Sequence, residues 1–305
     1  MKPMGGSELM YYTVDKLLRP GYQQKVNLIL SFCDPQYIDS TKKNVVWQQL
    51  NVNEEVTNAM ADPKFVEKID TFVWVSHWQY QRFLDKYKVP AFKSVIIKNA
   101  TQPCQWIPRN PKDKIRLVYT STPWRGLDIL VNAFKMLNRT DVELDVFSST
   151  QIYGPAFEQQ TKGQFDWLWD ECRNTPGINY HGYQPNDVVR ATVRDAHIFA
   201  YPNTFEETSC ISAIEALIAG CKVVTTDHGA LPETCSEWAD YVPWGPNREI
   251  LATRYAYALN NAINNYWTQN TQDLLKRQNE FYNGFYSWNT RMPEWQGLVD
   301  RLSKE

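Results

Sequence analysis

The order of apolar and polar positions in the second half of the chain predicts alternating strands and helices. Short apolar runs rich in β-branched and aromatic residues predict six strands, at residues 115–120, 142–147, 178–181, 197–201, 222–226 and 241–242. Helical periodicity lies between them, at residues 124–137, 157–173, 187–194 and 210–220. Strands that alternate with helices need crossover connections, and these favour a parallel sheet with helices on both faces.

The first half of the chain shows the same alternation in a weaker form. It predicts helices at residues 7–18 and 79–86, and strands at residues 26–32, 45–50, 71–76 and 94–98. No strand precedes the first helix, so we expect this domain to be reduced. Three prolines and several charged residues at positions 103–114 interrupt both periodicities, which is typical of a linker.

These patterns predict an α/β protein with two Rossmann-like domains that face a cleft. The expected boundaries are residues 1–105 for the first domain and residues 106–286 for the second. A C-terminal segment, residues 287–305, is expected to pack back toward the first domain, because the large apolar side chains of Trp288 and Trp295 need to be buried. Parallel sheets of this kind bind ligands at the carboxyl ends of their strands, so we expect the chemistry in the loops there.

Composition narrows the class of protein without identifying it. A formal net charge of −2 over 305 residues gives no field that would attract nucleic acid or an anionic membrane. Apolar runs stay well short of twenty residues, which argues against a membrane span. The first ten residues lack the apolar core of a signal peptide, so we expect a cytoplasmic protein. The six cysteines are too scattered for a zinc pattern, and we expect reduced thiols and no bound metal.

Two glutamates mark the segment of residues 201–220, which leaves a strand and enters an apolar helix. Thr208 or Ser209 is expected to cap this helix. Glu215 lies on the apolar helix, where a carboxylate is costly unless it finds hydrogen-bond donors, and a ribose diol would supply two. Glu207 lies just ahead of the helix, where backbone N–H groups favour anions. Taken alone, each glutamate could equally be a solvated or internally paired acid.

Arg125 follows another predicted strand, in the sequence Thr122-Pro123-Trp124-Arg125-Gly126. Pro123 suits the first position of a helix, with Thr122 as its cap. Arg125 then stands in the first turn, where the helix dipole repels a cation unless an anion is bound. A guanidinium binds phosphate oxygens in pairs, so Arg125 is a candidate phosphate ligand, and a plain surface arginine at a helix start is the alternative.

The pair Gly5-Gly6 opens the first predicted helix. Glycines let a backbone approach a ligand closely, and N–H groups at a helix start can take phosphate. Without support from elsewhere, an ordinary turn is the better interpretation of such a pair.

That support comes from a family resemblance. Glu207 and Glu215, followed by Ala-Leu-Ile-Ala-Gly-Cys-Lys-Val-Val, resemble the E-x7-E segment of the retaining glycosyltransferase family 4, whose members have the GT-B fold. Further features occur in the family's order: Gly5-Gly6-Ser7-Glu8, Trp-Val-Ser-His-Trp at residues 74–78, Ile-Lys-Asn at residues 97–99, Arg125-Gly126, and Gly-Ala-Leu-Pro-Glu at residues 229–233. Any one of these motifs is moderately specific, but several in the right order are hard to obtain by accident.

The resemblance implies a role for each matching residue. It makes residues 1–105 the acceptor side and residues 106–286 the nucleotide-sugar domain. Arg125 would hold the diphosphate, Glu207 the hydroxyls of the donor sugar, and Glu215 the ribose, with Arg125 and Glu207 as the catalytic pair. The other donor-binding residues would be Gly5 and Gly6 at the phosphate or sugar, Tyr183 in the loop His181-Gly182-Tyr183 beside the base, and Ser209, Cys210 and Ile211 through their backbone N–H groups.

The sequence departs from the family pattern at three places. The family commonly has a second basic residue a few positions before Arg125, where this chain has Ser121 and Thr122. The usual Gly-Phe-Gly after the first acid is replaced by Thr-Ser-Cys at residues 208–210. Where many members place a histidine facing the donor sugar, this chain offers Gln48 or Gln49.

The resemblance implies transfer of a hexose from a nucleoside diphosphate sugar, with retention of configuration. UDP is favoured because uridine donors are common in the family, and the acceptor is a saccharide, a lipid-linked group or a protein. No Asp-x-Asp occurs in the chain, so we expect neither a metal-bridged diphosphate nor any other cofactor. Two alternatives remain open: a nucleotide-sugar epimerase, and a nucleotide-sugar-binding protein that transfers nothing.

Overall fold

A computed structural model describes residues 5–304 of the chain. Its strands are β1 Val26–Leu30, β2 Lys43–Gln48, β3 Thr71–Trp74, β4 Ser94–Ile96, β5 Ile115–Thr120, β6 Val142–Phe147, β7 Ile178–Tyr180, β8 Ile198–Tyr201, β9 Lys222–Thr226 and β10 Ala239–Val242. Its helices are α1 Gly6–Leu17, α2 Pro63–Glu67, α3 His77–Tyr87, α4 Leu127–Leu137, α5 Pro155–Gln160, α6 Asp166–Asn174, α7 Asn186–Asp195, α8 Ile211–Ile218, α9 Leu231–Cys235, α10 Arg248–Asn265, α11 Gln269–Phe285 and α12 Trp288–Leu302.

The described residues form two compact units, each built on its own parallel sheet. The four-strand unit comprises residues Gly6–Gln102, Glu206–Cys210 and 284–304. The six-strand unit comprises Gly5, Pro103–Phe205 and Ile211–Asn283. The short segment Glu206–Cys210 connects β8 to α8 in sequence, yet it groups with the four-strand unit.

The sheet of the four-strand unit has the order β1-β2-β3-β4, with every pair parallel. Its central strands carry apolar and aromatic side chains on both faces, and Val46, Phe72 and Trp74 are fully buried. Helix α12 belongs to this unit, where the ring of Trp295 lies 4.5 Å from that of Trp47 on β2. Large aromatic side chains therefore fill the core on which the loops of this unit stand.

The sheet of the six-strand unit has the order β10-β9-β8-β5-β6-β7, again with every pair parallel. Its first strand in the chain, β5, lies in the middle, with β6 and β7 on one side and β8 to β10 on the other. This is the doubly wound order, in which the direction of winding reverses between β5 and β8. Nearly all residues of β5, β6, β8 and β9 are buried, which explains their apolar sequences.

Most predicted elements are present, with two informative differences in this unit. The prediction of one helix at residues 157–173 is wrong, because this part of the chain forms the two separate helices α5 and α6. Gly163 lies between them with a φ of +79°, a left-handed conformation that a continuous helix does not contain. The last strand is longer than predicted, since β10 begins at Ala239 rather than at Tyr241.

Candidate functional site

The loops that follow β5 and β8 lie at the point where the strand order of the six-strand sheet reverses. These two strands are neighbours, with Leu117 beside Ile198 and Val118 beside Phe199, and they lie where the winding reverses. In open α/β sheets, ligands bind in the crevice outside the carboxyl ends of the strands at this switch point. The loop after β5 contains Arg125, and the loop after β8 leads to Glu207.

Gly126 and Pro202 bring these two loops into contact. Gly126 has a φ of +106°, and a Cβ at this position would lie 2.1 Å from the carbonyl oxygen of Pro202. No side chain fits such a gap, so the close approach requires glycine. The Thr204 hydroxyl adds a hydrogen bond of 3.1 Å to the carbonyl oxygen of Trp124. The backbone on either side of Arg125 is therefore fixed by the loop after β8.

Arg125 itself lies outside the helix to which the sequence assigned it. It ends a 3-10 turn, Pro123–Arg125, and α4 begins two residues later at Leu127. Thr122 and Pro123 take the predicted cap and first positions, but of this 3-10 turn, and the Thr122 side chain makes no capping hydrogen bond. The prediction of Arg125 in the first turn of the α-helix is wrong, because Gly126 in the left-handed conformation separates the turn from α4. The guanidinium carbon of Arg125 lies 4.3 Å from the ring centroid of Phe205. This cation–π contact orients the charge at the switch point.

Helix α8 carries Glu215 on its second turn. The residue directly before α8 is Cys210, whose φ of +59° is left-handed, so the helix begins one residue later than predicted, and the cap at Thr208 or Ser209 stays a prediction. The Ser212 hydroxyl donates to the carbonyl oxygen of Thr120 over 3.1 Å and anchors the start of α8 at the end of β5. Ile211, the first residue of α8, therefore lies beside the carboxyl end of β5.

Glu215 forms an ion pair across two helices. Nε of Arg190, on α7, donates to Oε1 of Glu215 over 2.8 Å. The two side chains are 35% and 18% exposed, respectively, so the pair is half-buried and still reachable from solvent. An arginine that donates to a carboxylate offsets much of the cost of removing that carboxylate from water.

The loop after β7 contains His181, Gly182 and Tyr183. Nε2 of His181 lies 2.7 Å from Oδ1 of Asp145, a buried residue of β6. The imidazole also stacks on the ring of Phe147, with 4.5 Å between centroids and 15° between planes. Tyr183 follows as a half-buried residue, after Gly182 with a φ of +64°. These contacts fix the loop at the same edge of the sheet as Arg125.

The segment Glu206–Cys210 is held by hydrogen bonds within the four-strand unit. Thr208 Oγ1 donates to the carbonyl oxygen of Gln49 over 2.8 Å, and Ser76 Oγ donates to the carbonyl oxygen of Thr208 over 2.7 Å. Asn51 Nδ2 donates to the backbone oxygen and to Oε2 of Glu206. These bonds fix the backbone on both sides of Glu207, which is 5% exposed.

Gln48 and Gln49 both use their amides inside the four-strand unit. Gln49 and Asn99 exchange hydrogen bonds of 2.8 and 3.0 Å between their side-chain amides. Gln48 donates to the carbonyl oxygen of Ser31 and accepts from the backbone N–H of Leu50. These bonds tie both glutamines to the framework that supports the segment Glu206–Cys210.

The predicted glycine pair lies at the start of α1. Gly6 is the first residue of the helix and is exposed, and Gly5 directly precedes it and is half-buried. The first N–H groups of a helix have no partner within the helix, which suits an anion. Their role toward phosphate or sugar stays a prediction.

Two kinds of feature are absent from residues 5–304. No three or more His, Cys, Asp or Glu side chains in this range are grouped so that they could hold a metal ion. None of the helices in the same range is both long and apolar enough to cross a membrane.

Two residues of the site were missed at the level of the sequence. Phe205 lies two residues before Glu207 in the chain. Nothing in the sequence shows that its ring contacts the guanidinium of Arg125. Arg190 lies 25 residues before Glu215, on a helix that the sequence assigned no function. Both contacts exist only once the loops and helices pack together.

Comparison with known proteins gives the same architecture. A family model described as "Glycosyl transferases group 1" matches residues 105–281, more than half of the chain. Sucrose-phosphate synthase from Thermosynechococcus elongatus superposes with a TM-score of 0.68 at 15% identity, over 97% of this chain and 78% of that one. A glycosyltransferase from Rickettsia africae ESF-5 gives 0.67 at 18% identity, over 98% and 81%. HepE from Anabaena, solved in complex with UDP-glucose, gives 0.62 at 14% identity, over 87% and 73%.

No curated protein sequence matches the chain significantly. At identities this low, the solved structures establish the fold alone. The predicted fold class, α/β with two Rossmann-like domains of the GT-B type, is confirmed, and the family model confirms the resemblance to glycosyltransferases.

Proposed function

This chain belongs to the group 1 glycosyl transferases, and on that premise we propose that it moves a hexose from a UDP-sugar to an acceptor with retention of anomeric configuration. The observation that carries the proposal is the position of Arg125. Its guanidinium lies on the ring of Phe205 at the switch point of the six-strand sheet, where this architecture binds its ligands.

Charge development on the departing diphosphate explains why an arginine is needed there. During transfer, the bond between the anomeric carbon and the diphosphate oxygen breaks, and its electron pair stays on the diphosphate. The acceptor hydroxyl oxygen forms the new bond to the anomeric carbon, and its proton passes to the departing diphosphate oxygen. Preorganised donors stabilise such charge more strongly in the transition state than in the ground state. In the proposal, Arg125 and the backbone N–H groups of Ser209, Cys210 and Ile211 are these donors.

The remaining donor contacts follow from the same assignment. Glu215, on α8, accepts the ribose hydroxyls, and Tyr183 borders the base. Glu207 accepts hydroxyls of the donor sugar, which is the group that distorts as the oxocarbenium-like state forms. Gly5 and Gly6 contribute backbone contacts to the phosphate or the sugar. No metal or other cofactor takes part in the proposed reaction.

A uridine donor is supported by two structural neighbours. HepE was solved with UDP-glucose, and a pneumococcal O-GlcNAc transferase, GtfA, was solved with UDP and GlcNAc. The acceptor is a saccharide, a lipid-linked group or a protein.

Two measurements test the proposal. A thermal-shift panel of UDP-, GDP- and ADP-sugars identifies the donor, because a ligand that binds the folded state raises the melting temperature. Incubation with that donor, radiolabelled in the sugar, and a panel of acceptors then separates the outcomes. Transferred label supports a transferase, isomerised donor would identify an epimerase, and binding without turnover would identify a nucleotide-sugar-binding protein.

Retention of anomeric configuration and reaction without a metal ion are tested by separate measurements. The anomeric coupling constant of the product in proton NMR distinguishes retention from inversion. Turnover that survives an excess of chelator supports the reaction without metal, and loss of turnover that is restored by a divalent cation would contradict it.

A further inference from the structure

The ion pair between Arg190 and Glu215 suggests a role for a residue outside the expected site. Resting on the proposed function, we propose that Arg190 is a positioning residue that sets the selectivity of the donor site for ribose over deoxyribose, acting through Glu215. Its Nε donates to Oε1 of Glu215 over 2.8 Å and holds that carboxylate from the neighbouring helix α7.

Glu215 needs a hydrogen-bonding partner because its carboxylate lies at the margin of an apolar helix. It projects from α8, in which Ala213, Ile214, Ala216, Leu217 and Ile218 are all fully or almost fully buried. A long carboxylate side chain at the margin of an apolar helix can adopt several rotamers, and ordering it to bind a ligand reduces affinity. The planar guanidinium of Arg190 restricts the carboxylate before the ligand arrives.

One bond from Arg190 does not by itself prevent a carboxylate from accepting hydroxyl groups. An ionised carboxylate offers about four acceptor positions, and the bond from Arg190 Nε occupies one at Oε1. A ribose diol donates two hydrogen bonds, and both are well made only if the plane of the carboxylate is fixed. A deoxyribose lacks one of these donors, so a fixed carboxylate discriminates against it more strongly than a mobile one.

The same helix provides a matched control. Arg194 lies one turn after Arg190 on α7, and its Nε donates to Asp195 over 3.1 Å. The side chains of Arg194 and Asp195 are both nearly half exposed. The two residues are adjacent in the chain, so this ion pair does not join two helices. Exposed pairs of this kind contribute little to stability. An Arg194→Gln variant therefore makes the same chemical change on the same helix without touching Glu215.

The test is calorimetric titration with UDP, 2′-deoxy-UDP and 3′-deoxy-UDP. The proteins are the wild type and the variants Arg190→Gln, Arg190→Lys, Glu215→Gln and Arg194→Gln. We expect the wild type and Arg194→Gln to bind UDP about 10-fold or more tightly than at least one of the deoxy analogues, a typical effect of one hydrogen bond to a charged group. Arg190→Gln should reduce that ratio to the value of Glu215→Gln, and Arg190→Lys should restore part of it.

The outcomes separate this inference from the proposal beneath it. If Arg190→Gln keeps the wild-type preference for ribose and loses only melting temperature, the ion pair is structural and the inference is overturned. If the wild type binds UDP with no preference over either analogue, the assignment of Glu215 to the ribose fails, and the inference fails with it. If the wild type binds no UDP at all, the proposed uridine donor is wrong, and the inference, which rests on that donor, is overturned with it.

Discussion

Gly126 approaches the carbonyl oxygen of Pro202 so closely that a Cβ at position 126 would lie 2.1 Å from it. This contact joins the loop after β5 to the loop after β8 at the switch point of the six-strand sheet. Arg125 directly precedes Gly126, and Phe205, which underlies the guanidinium, lies three residues after Pro202. The position of the charge therefore depends on a glycine.

Replacing Gly126 with alanine should disrupt both stability and donor binding. The methyl group cannot enter the gap, so one of the two loops must move and take Arg125 with it. We expect a loss of about 3 kcal/mol or more in the free energy of unfolding, at the upper end of the usual range for single substitutions, because overpacking and strain at a special φ/ψ act together. The dissociation constant for the donor should rise strongly as well. Urea unfolding and calorimetric titration measure the two effects.

Gly21→Ala is the matched control for this prediction. Gly21 has a similar backbone conformation, with φ 88° and ψ −1° against φ 106° and ψ 15° at Gly126, but a Cβ there would meet nothing within 4 Å. The Gly21→Ala variant should lose about 1–2 kcal/mol in the free energy of unfolding, which is the cost of placing an alanine in the left-handed conformation. Equal losses in the two variants would mean that the contact with Pro202 carries no energy beyond the backbone conformation.

The strands of the six-strand unit were predictable because their sheet is covered on both faces. β5, β6 and β9 begin and end at the predicted residues, since each is an apolar run that ends where polar turn residues follow. The break between α5 and α6 was not predictable from periodicity, because helical spacing continues on both sides of Gly163. Residues 161–165 are non-helical, and Gly163 among them has a left-handed conformation that interrupts the helix.

The site was predictable where its residues adjoin the end of a strand in the sequence. Arg125 and the segment before α8 could be placed at the carboxyl edge, because loops after parallel strands share that edge. The partners of these residues could not be placed, because they come from elements that are distant in sequence. Arg190 reaches Glu215 from another helix, and Asn99 reaches Gln49 across 50 positions.

Arg125→Ala should lower turnover more than donor affinity. The charge that Arg125 opposes is greatest as the diphosphate leaves, so its removal should reduce kcat by about 100-fold or more, with a smaller change in the donor dissociation constant. Initial rates at saturating donor and calorimetric titration give the two quantities. Arg173→Ala is the control, since Arg173 also lies over an aromatic ring, that of Tyr180 at 5.0 Å, but has no assigned role. A variant that raised only the donor KM would make Arg125 a positioning residue.

Glu207→Gln should impair both turnover and donor binding. Glu207 is buried, and in the proposal it accepts hydroxyls of the sugar that distorts during transfer, so its contacts change between ground and transition state. We expect kcat to fall by at least about 10-fold and the donor KM to rise. Steady-state kinetics with the identified donor measure both.

The neighbouring acid supplies the control for Glu207. Glu206 has its carboxylate 3.1 Å from the amide of Asn51 and 4.0 Å from Arg82, and Glu206→Gln preserves the shape and the bond from Asn51. Its kinetics should stay close to those of the wild type. If Glu206→Gln were the more damaging change, the acid of the E-x7-E segment would have been assigned one residue too late.

Glu215→Ala should weaken donor binding and leave turnover at saturating donor nearly unchanged. The ribose does not change during the reaction, so its contact with Glu215 has the same strength in the ground and transition states. Losing a hydrogen bond to a charged group should raise the donor dissociation constant by about 10-fold or more. A fall in kcat as large as that of Arg125→Ala would place Glu215 at the reacting centre instead.

His197, in the six-strand unit, should make the stability of the protein depend on pH. It is 2% exposed, and its Nδ1 accepts the backbone N–H of Arg116 over 3.1 Å. Burial, followed by the positive charges of Arg109 and Arg116, lowers the pKa of His197 from 6.5 to about 4. As the pH falls, the unfolded chain therefore takes up a proton on this residue well before the folded protein does.

The contribution of His197 to the free energy of unfolding should be constant above about pH 7 and should fall as the pH drops from 6.5 toward 4. The pKa difference predicts a loss of about 2 kcal/mol between pH 7.5 and pH 5. In His197→Asn, the side-chain oxygen can still accept the N–H of Arg116, but nothing titrates, so this part of the slope should disappear. Val193→Ala, a buried change nearby that removes no titrating group, should lower stability and keep the wild-type slope. Urea unfolding at closely spaced pH values compares the three proteins, and equal slopes in the wild type and His197→Asn would show that folding does not depress the pKa of His197.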